Sequence, residues 1–173
     1  IGALTEIKDQ STLIQAFARS FPAPSRNELW IVGDGPLRKQ LGEDTKRLKI
    51  DRRVRLLGHK KHCEIPELLS LANALVISSK YETFGVVAAE ALVCGTPVIA
   101  TRCGGPDEIV KSGDGLLVQP SSISAMAEGL CQMADGLNLY QPAKIKERAL
   151  SRFSANAVSQ QIFEIYSMAL KRT

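Results

Sequence analysis

A chain of 173 residues has the size of a single domain with its own hydrophobic core. Apolar residues make up 45% and charged residues 23%, a globular balance, and no apolar run is long enough to span a bilayer. The net charge of +4 is mild and only 5% of residues are aromatic, which argues against a nucleic-acid-binding protein and leaves an anionic membrane surface open as a contact.

The cysteines indicate neither a metal site nor a disulfide framework. Cys63, Cys94, Cys103 and Cys131 are far apart and form no C-x-x-C pair. Reduced thiols in a cytoplasmic protein are therefore the better interpretation. The cluster "HKKHC" at 59–63 has no distant ligands to complete a metal site, so we interpret it as a surface loop and expect no bound metal.

In the first third of the chain, apolar runs alternate with helical patterns. The opening "IGAL" is typical of a strand entering a turn, so we expect the first strand to begin upstream and the sequence to be a fragment. There follow a helix at "STLIQAFARSF", a strand at "ELWIVG", a helix at "PLRKQLGEDTKRLKI" with Pro36 in its first turn, and a strand at "VRLLG".

The same alternation continues through the middle of the chain. A short helix at "IPELLSLA" precedes the strand "ALVISS", and the helix "FGVVAAEALVCG" stops at Gly95 before the strand "PVIA". The short helix "PDEIVKSG" then leads to the strand "GLLV". The remainder is helical and ends in a long helix at 154–172.

Short apolar strands that alternate with helices indicate a parallel sheet covered on both faces. The predicted fold is therefore α/β, a Rossmann-like, doubly wound parallel sheet of about six strands, in one domain over residues 1–173. Such sheets bind ligands beyond the carboxyl ends of their strands. The loops at that edge are "GALTEIK", "GDGP", "GHKKH", "SSKYETFG" and "TRCGGPDE".

The stretch "KYETFGVVAAE" combines two acids with the start of a helix. Free backbone N–H groups at residues 84–87 would form an anion site, and Lys8 lies on the same rim. Glu82 and Glu90 would be ~12 Å apart at ~1.5 Å per residue, and a carboxylate suits a vicinal diol. The plainer alternative is that both acids are solvated or favour the helix dipole, and that Gly104 and Gly105 merely permit a turn.

The segment "VISSKYETFGVVAAEALVCGTPVIATRCGGPDEIVKSGDGLLVQP" closely resembles the C-terminal half of glycosyltransferase family 4, a retaining group with the GT-B fold. The E-x7-E pair, the G-x-P-V-I strand, the GG-x-x-E turn and the G-x-x-G-x-L-V turn occur in the family's order. The similarity extends to "IGALTEIKDQSTLIQAFA" and "WIVGDGPLRKQL", and so covers nearly the whole chain.

The resemblance implies roles for individual residues. Glu82 is expected near the donor sugar and Lys8 on the leaving diphosphate, both as catalytic residues. Glu90 is expected to hold the ribose hydroxyls. The other donor-binding positions implied are Gly2, Ala3, Gly33, His59, Lys60, Phe84, Gly85, Val86 and Val87. Ala3 departs from the family, which commonly has Arg there as a second diphosphate ligand.

The resemblance further implies the donor-binding half of an enzyme that moves a hexose, from UDP-glucose as first choice, to a saccharide or lipid-linked acceptor. No cofactor and no metal are expected. An N-terminal domain of the same chain would supply the acceptor site, with the last helix crossing back to it, so the fragment alone is expected to be inactive. The implied location is the cytoplasm, with the inner membrane surface as an open alternative. A GT-B nucleotide-sugar epimerase and a non-catalytic nucleotide- or glycan-binding domain are the alternatives.

Overall fold

A computed structural model describes residues 1–170, in which two parallel β-sheets lie between layers of helices. The strands are β1 (Leu29–Val32), β2 (Val54–Gly58), β3 (Leu75–Ile77), β4 (Val98–Thr101) and β5 (Gly115–Val118). The helices are α1 (Gln10–Ser20), α2 (Arg38–Arg47), α3 (Ile65–Leu71), α4 (Val86–Val93), α5 (Gly105–Ile109), α6 (Ile123–Asp135), α7 (Pro142–Phe153) and α8 (Ala155–Leu170). Short 3-10 helices lie at His62–Glu64 and Leu137–Leu139.

The strands pair in parallel in the order β1-β2 and β3-β4-β5. The predicted doubly wound α/β class is confirmed, with five strands in two sheets within residues 1–170 rather than one sheet of about six. Each of these strands coincides with a predicted apolar run, and β4 extends one residue beyond its run, to Thr101. Helix α2 begins at Arg38, so Pro36 lies in the preceding turn. Residues 171 and 172 of the predicted last helix lie outside the described residues.

Strand β4 shows how helices cover both faces of the larger sheet. Ile99 packs into a core cluster with residues of α1 and α6, whereas Val98 and Ala100 pack into a second cluster with residues of α3, α4 and α7. Successive side chains of a strand point to opposite faces, so these clusters lie on the two sides of the sheet. All four residues of β4 are buried, which explains the apolar run Val98–Ala100, and the buried Thr101 Oγ1 donates a hydrogen bond to the Ser79 carbonyl.

The chain returns to the same edge of the sheets after each strand, because every strand runs in the same direction. The loops after β1, β2 and β3 therefore meet at the carboxyl edge, together with the loop at residues 2–8. None of the helices within residues 1–170 combines the length and apolar character that crossing a bilayer requires.

Candidate functional site

A cleft of about 700 Å³ opens at this carboxyl edge, between the first turn of α4 and the loops that follow β1 and β2. The structure brings to it all the residues predicted from the sequence except Phe84. These are Gly2, Ala3, Lys8, Gly33, His59, Lys60, Glu82, Gly85, Val86, Val87 and Glu90. Residues from five separate loops and helices thus form one concave surface, as expected for a parallel sheet.

Lys8 and Glu82 form an ion pair at one end of the cleft. Lys8 Nζ donates a hydrogen bond to Glu82 Oε2, although the residues are 74 positions apart in the chain. The side chains are 30% and 18% exposed. Ser78 Oγ donates to the Lys8 carbonyl at 2.7 Å, so the backbone of this loop is also tied to the segment after β3. A cation and a carboxylate are therefore held together at the cleft surface.

The backbone of Glu82 is fixed by the segment that follows β4. Its N–H donates to the carbonyl of Cys103 at 2.9 Å, and its carbonyl accepts from the N–H of Gly105 at 2.8 Å. A Cβ on Gly105 would lie 2.1 Å from the carbonyl oxygen of Phe84. The glycine pair thus permits a close approach that holds the acid in place, which supports the turn-permitting alternative for Gly104 and Gly105.

Cys103 lies buried behind this acid. Burial raises the pKa of its thiol, while a hydrogen bond with Thr101 lowers it and the nearby charge of Glu82 raises it further. The thiol is therefore held in its neutral form at the back of the site. Cys103 does not line the cleft and has no expected contact with a ligand.

The loop at residues 2–4 runs in contact with the loop after β1. The Gly2 N–H donates to the Val32 carbonyl at 2.9 Å, and the Leu4 N–H donates to the Asp34 carbonyl at 3.0 Å. Gly33 has a φ of +133°, and a Cβ there would lie 1.9 Å from the carbonyl oxygen of Gly2. Only glycine fits this position, which gives the predicted Gly33 a clear physical reason.

Glu90 lies at the opposite end of the cleft, on the cleft side of α4. Its Oε1 is 3.8 Å from His62 Nδ1, and the two side chains are 30% and 86% exposed. His62 and Asp34 line the cleft although neither was singled out as a site residue. The sequence predicts both histidines as loop surface. No local pattern relates His62 to α4, which begins 24 positions later.

The first turn of α4 lines the cleft with Gly85, Val86 and Val87. The helix begins at Val86, with Gly85 as its left-handed N-cap at φ 85°. The first N–H groups of a helix have no partner within the helix, and the macrodipole makes this end positive. Phe84 lies outside the cleft lining with its side chain exposed. The arrangement suits an anion beside residues 85–87 and Lys8.

Within residues 1–170, no group of three His, Cys, Asp or Glu side chains is placed to hold a metal ion. The cleft offers the side chains of two lysines, Lys8 and Lys60, a helix N-terminus, and the carboxylates of Asp34, Glu82 and Glu90. A lysine and free amides bind phosphate oxygens, and carboxylates accept hydrogen bonds from hydroxyl groups.

The family described as "Glycosyl transferases group 1" matches residues 1–150, and the chain belongs to it. The N-acetyl-alpha-D-glucosaminyl L-malate synthase of Bacillus anthracis is 30% identical over 174 residues, covering 99% of this chain and 45% of that protein. The chain thus spans less than half the length of this curated relative.

Solved structures show the same fold. Anabaena HepE in complex with UDP superposes with a TM-score of 0.85 at 29% identity, covering 97% of this chain and 47% of that chain. The same protein has been solved in complex with UDP-glucose, with a TM-score of 0.81. Sucrose-phosphate synthase from Thermosynechococcus elongatus gives a TM-score of 0.84 at 28% identity, covering 100% of this chain and 45% of that chain.

Proposed function

We propose that this chain is the donor-binding domain of a retaining glycosyltransferase that takes a hexose from a nucleotide diphosphate sugar, with UDP-glucose as the first candidate. The observation that carries the proposal is the cleft in which Lys8, the first turn of α4 and Glu90 converge. The similarity to HepE, solved with UDP and with UDP-glucose, supports a uridine nucleotide.

The diphosphate is expected between Lys8 and the amides of Val86 and Val87. These groups line the same cleft, and both a cation and a helix N-terminus favour phosphate oxygens. When the glycosidic bond of the donor breaks, negative charge builds on the leaving diphosphate. Lys8 would then stabilise the group on which this charge develops. Ala3 contributes no charge, so Lys8 is expected to provide most of the cationic contact.

Glu90 is expected to bind the ribose. Its carboxylate is partly exposed, and the imidazole of His62 is 3.8 Å away, beyond hydrogen-bond distance, which leaves the carboxylate oxygens available to two hydroxyl groups. The loop at His59 and Lys60 lines the same part of the cleft and would meet the base through its backbone.

Glu82 is expected to face the hexose. A glycosyl transition state resembles an oxocarbenium ion, and a fixed carboxylate nearby stabilises its positive charge. Lys8 forms an ion pair with this carboxylate. Binding of the diphosphate would draw Lys8 toward the phosphates and increase the negative potential that Glu82 presents to the sugar.

The acceptor is expected to be a saccharide or a lipid-linked saccharide bound by an N-terminal domain of the longer protein, which works in the cytoplasm or at a membrane surface. No metal is proposed for donor binding. The isolated chain is expected to bind the donor without transferring it, because transfer needs the acceptor site.

Isothermal titration calorimetry of the chain with UDP, GDP, ADP and their hexose conjugates tests this proposal. We expect binding of UDP and UDP-glucose that is unchanged by excess EDTA. Binding that requires Mg²⁺ or Mn²⁺ would contradict the metal-free proposal. Absence of binding to every nucleotide would contradict the donor-site assignment and favour solvated, dipole-stabilising glutamates. Tighter binding of GDP or ADP would keep the site but replace the proposed base.

A further inference from the structure

Lys8 lies in the turn that directly precedes α1, and the backbone of this turn has a strained residue. The Lys8 N–H donates to the Thr5 carbonyl at 3.1 Å, a bond within the turn itself. The next residue, Asp9, is the N-cap of α1 and has a left-handed backbone with φ 47° and ψ 43°. A residue other than glycine adopts this conformation only at a cost in energy, so contacts from elsewhere in the fold must hold it.

The side chain of Asp9 does not supply these contacts. It makes no hydrogen bond to the first turn of α1, although an Asp at an N-cap commonly does. Its Oδ2 is buried and has no hydrogen-bond partner within residues 1–170. The residue beside Lys8 thus keeps a strained conformation that its own side chain does not stabilise.

The segment that follows β3 supplies two contacts to this turn. Ser78 Oγ donates to the Lys8 carbonyl at 2.7 Å, across 70 positions of the chain. The Lys80 N–H donates to the Ile7 carbonyl, also at 2.7 Å. The Lys8 carbonyl belongs to the peptide unit that joins Lys8 to Asp9, so the Ser78 hydroxyl acts directly at the strained position. Ser78 is only 5% exposed, and water therefore has little access to replace this bond.

Ser78 is not part of the cleft surface. It lies directly after β3 and is not among the residues that line the cleft, whereas Lys8 is. A nucleotide in the cleft would therefore not contact the Ser78 hydroxyl. Any effect of this hydroxyl on a ligand must act through the backbone that carries Lys8.

The position of that backbone matters because the Lys8 side chain serves two groups. Its Nζ contacts Glu82 Oε2, and the proposed diphosphate site lies beside residues 85–87 of the same cleft. A lysine carries its charge on a long, flexible stem. A defined position of the ammonium group therefore requires a fixed backbone at Lys8.

We propose that Ser78 is a positioning residue for donor binding. Its hydroxyl fixes the peptide unit between Lys8 and Asp9, and this directs the Lys8 ammonium group toward Glu82 and toward the diphosphate. The role toward the diphosphate rests on the proposed function, whereas the role toward Glu82 does not. Without the hydroxyl, Asp9 leaves its left-handed conformation and Lys8 moves with it.

Calorimetry with UDP tests whether Ser78 acts through Lys8. Ser78→Ala should lower UDP affinity by about three- to tenfold, the range of one hydrogen bond. In a chain that already carries Lys8→Ala, the same substitution should lower the affinity by less than about twofold, because one residue acts through the other. Ser78→Thr keeps the hydroxyl and should bind UDP as the unsubstituted chain does.

Thr96→Val is the matched control for a loss of stability alone. Thr96 Oγ1 also donates to a carbonyl at 2.7 Å, that of Leu69. Thr96 is 4% exposed and lies outside the cleft lining. We expect Thr96→Val and Ser78→Ala to lower the melting temperature by similar amounts, about 2–5 °C. Only Ser78→Ala should lower UDP affinity.

A crystal structure of the nucleotide-free Ser78→Ala chain provides a readout that does not depend on nucleotide binding. We expect Lys8 Nζ to lie more than about 4 Å from Glu82 Oε2, beyond the range of an ion pair. An intact Lys8–Glu82 ion pair in this variant would overturn the proposal.

The binding data can also contradict it. If Lys8→Ala loses UDP affinity and Ser78→Ala does not, the donor site stands and the role of Ser78 is refuted. Equal losses from Ser78→Ala with and without Lys8 would refute it as well, because Ser78 would then act on the fold and not through Lys8. Failure of the unsubstituted chain to bind UDP would contradict the proposed function, and the crystal structure would still decide whether Ser78 positions Lys8.

Discussion

The two ends of the cleft hold a carboxylate in opposite ways. At one end, Glu82 is 18% exposed, its backbone is bonded on both sides, and its side chain contacts Lys8 directly. At the other end, Glu90 projects from a helix and is 30% exposed, and the 86% exposed imidazole of His62 lies 3.8 Å from its Oε1. Two acids that look equivalent in the E-x7-E pattern are therefore physically different.

This difference indicates that Glu82 and Glu90 have different roles. A carboxylate with a rigid backbone and a direct cationic partner gives a fixed local charge and loses little entropy when substrate binds. A carboxylate with only a distant, exposed partner keeps its oxygens free for a ligand, because exposed ion pairs contribute only ~0–1 kcal/mol. Glu82 thus suits charge stabilisation, and Glu90 suits hydroxyl recognition.

Replacement of Lys8 should have the largest effect on nucleotide binding, because it removes two interactions at the Glu82 end of the cleft. Lys8→Ala removes the proposed diphosphate contact and leaves Glu82 without its partner. We expect UDP affinity to fall by roughly 1.5–3 kcal/mol, the range of a charge-assisted hydrogen bond. Calorimetry against the matched control Lys80→Ala measures this, since Lys80 is an exposed lysine outside the cleft lining. Equal losses of affinity in both variants would show that UDP binding depends on the net charge of the domain and not on a contact with Lys8.

Glu82→Gln separates catalysis from binding. UDP contains no hexose, so its affinity should change little. In the full-length enzyme, kcat for transfer should fall by about 100-fold, the size seen when one electrostatic group at a transition state is removed. The amide can still accept a hydrogen bond from Lys8, which limits the loss of stability to about 1 kcal/mol. A large loss of UDP affinity with unchanged kcat would mean that Glu82 binds the nucleotide and does not stabilise the transition state, which contradicts its assigned role.

Glu90→Gln should weaken UDP and UDP-glucose equally, because both contain the ribose. Conversion of the carboxylate to an amide keeps one acceptor and removes the charge, so we expect a loss of roughly 1 kcal/mol. Glu67→Gln, an exposed acid on α3 outside the cleft lining, is the matched control. A change in melting temperature without a change in nucleotide affinity would show that Glu90 stabilises α4 and does not bind the nucleotide.

His62→Gln should have the smallest effect. The pair with Glu90 is long and exposed, so stability should change by less than about 0.5 kcal/mol and UDP affinity by less than about twofold. Thermal unfolding and calorimetry on the same sample measure both quantities. A loss comparable with that of Glu90→Gln would mean that the two residues bind the nucleotide as a unit.

Most of the fold could be predicted from local pattern. Strands β1 to β5 match the short apolar runs, and the helices match the periodic segments between them, with β4, α1 and α5 each extending one residue beyond its segment, since side-chain period and burial are encoded residue by residue. The alternation of strand and helix also placed the cleft, because all carboxyl ends of a parallel sheet meet at one edge. Lys8, Glu82 and Glu90 could be chosen on this ground before any contact was known.

The sequence by itself therefore determined the elements, the family motifs and the edge at which the predicted residues meet. Only the tertiary structure decided that Lys8 contacts Glu82, that His62 approaches Glu90, and that β1 and β3 line a second cavity. The physical reason is that these contacts join residues far apart in the chain. They depend on strand order and on how helices pack over the sheets, which no local period or motif spacing specifies.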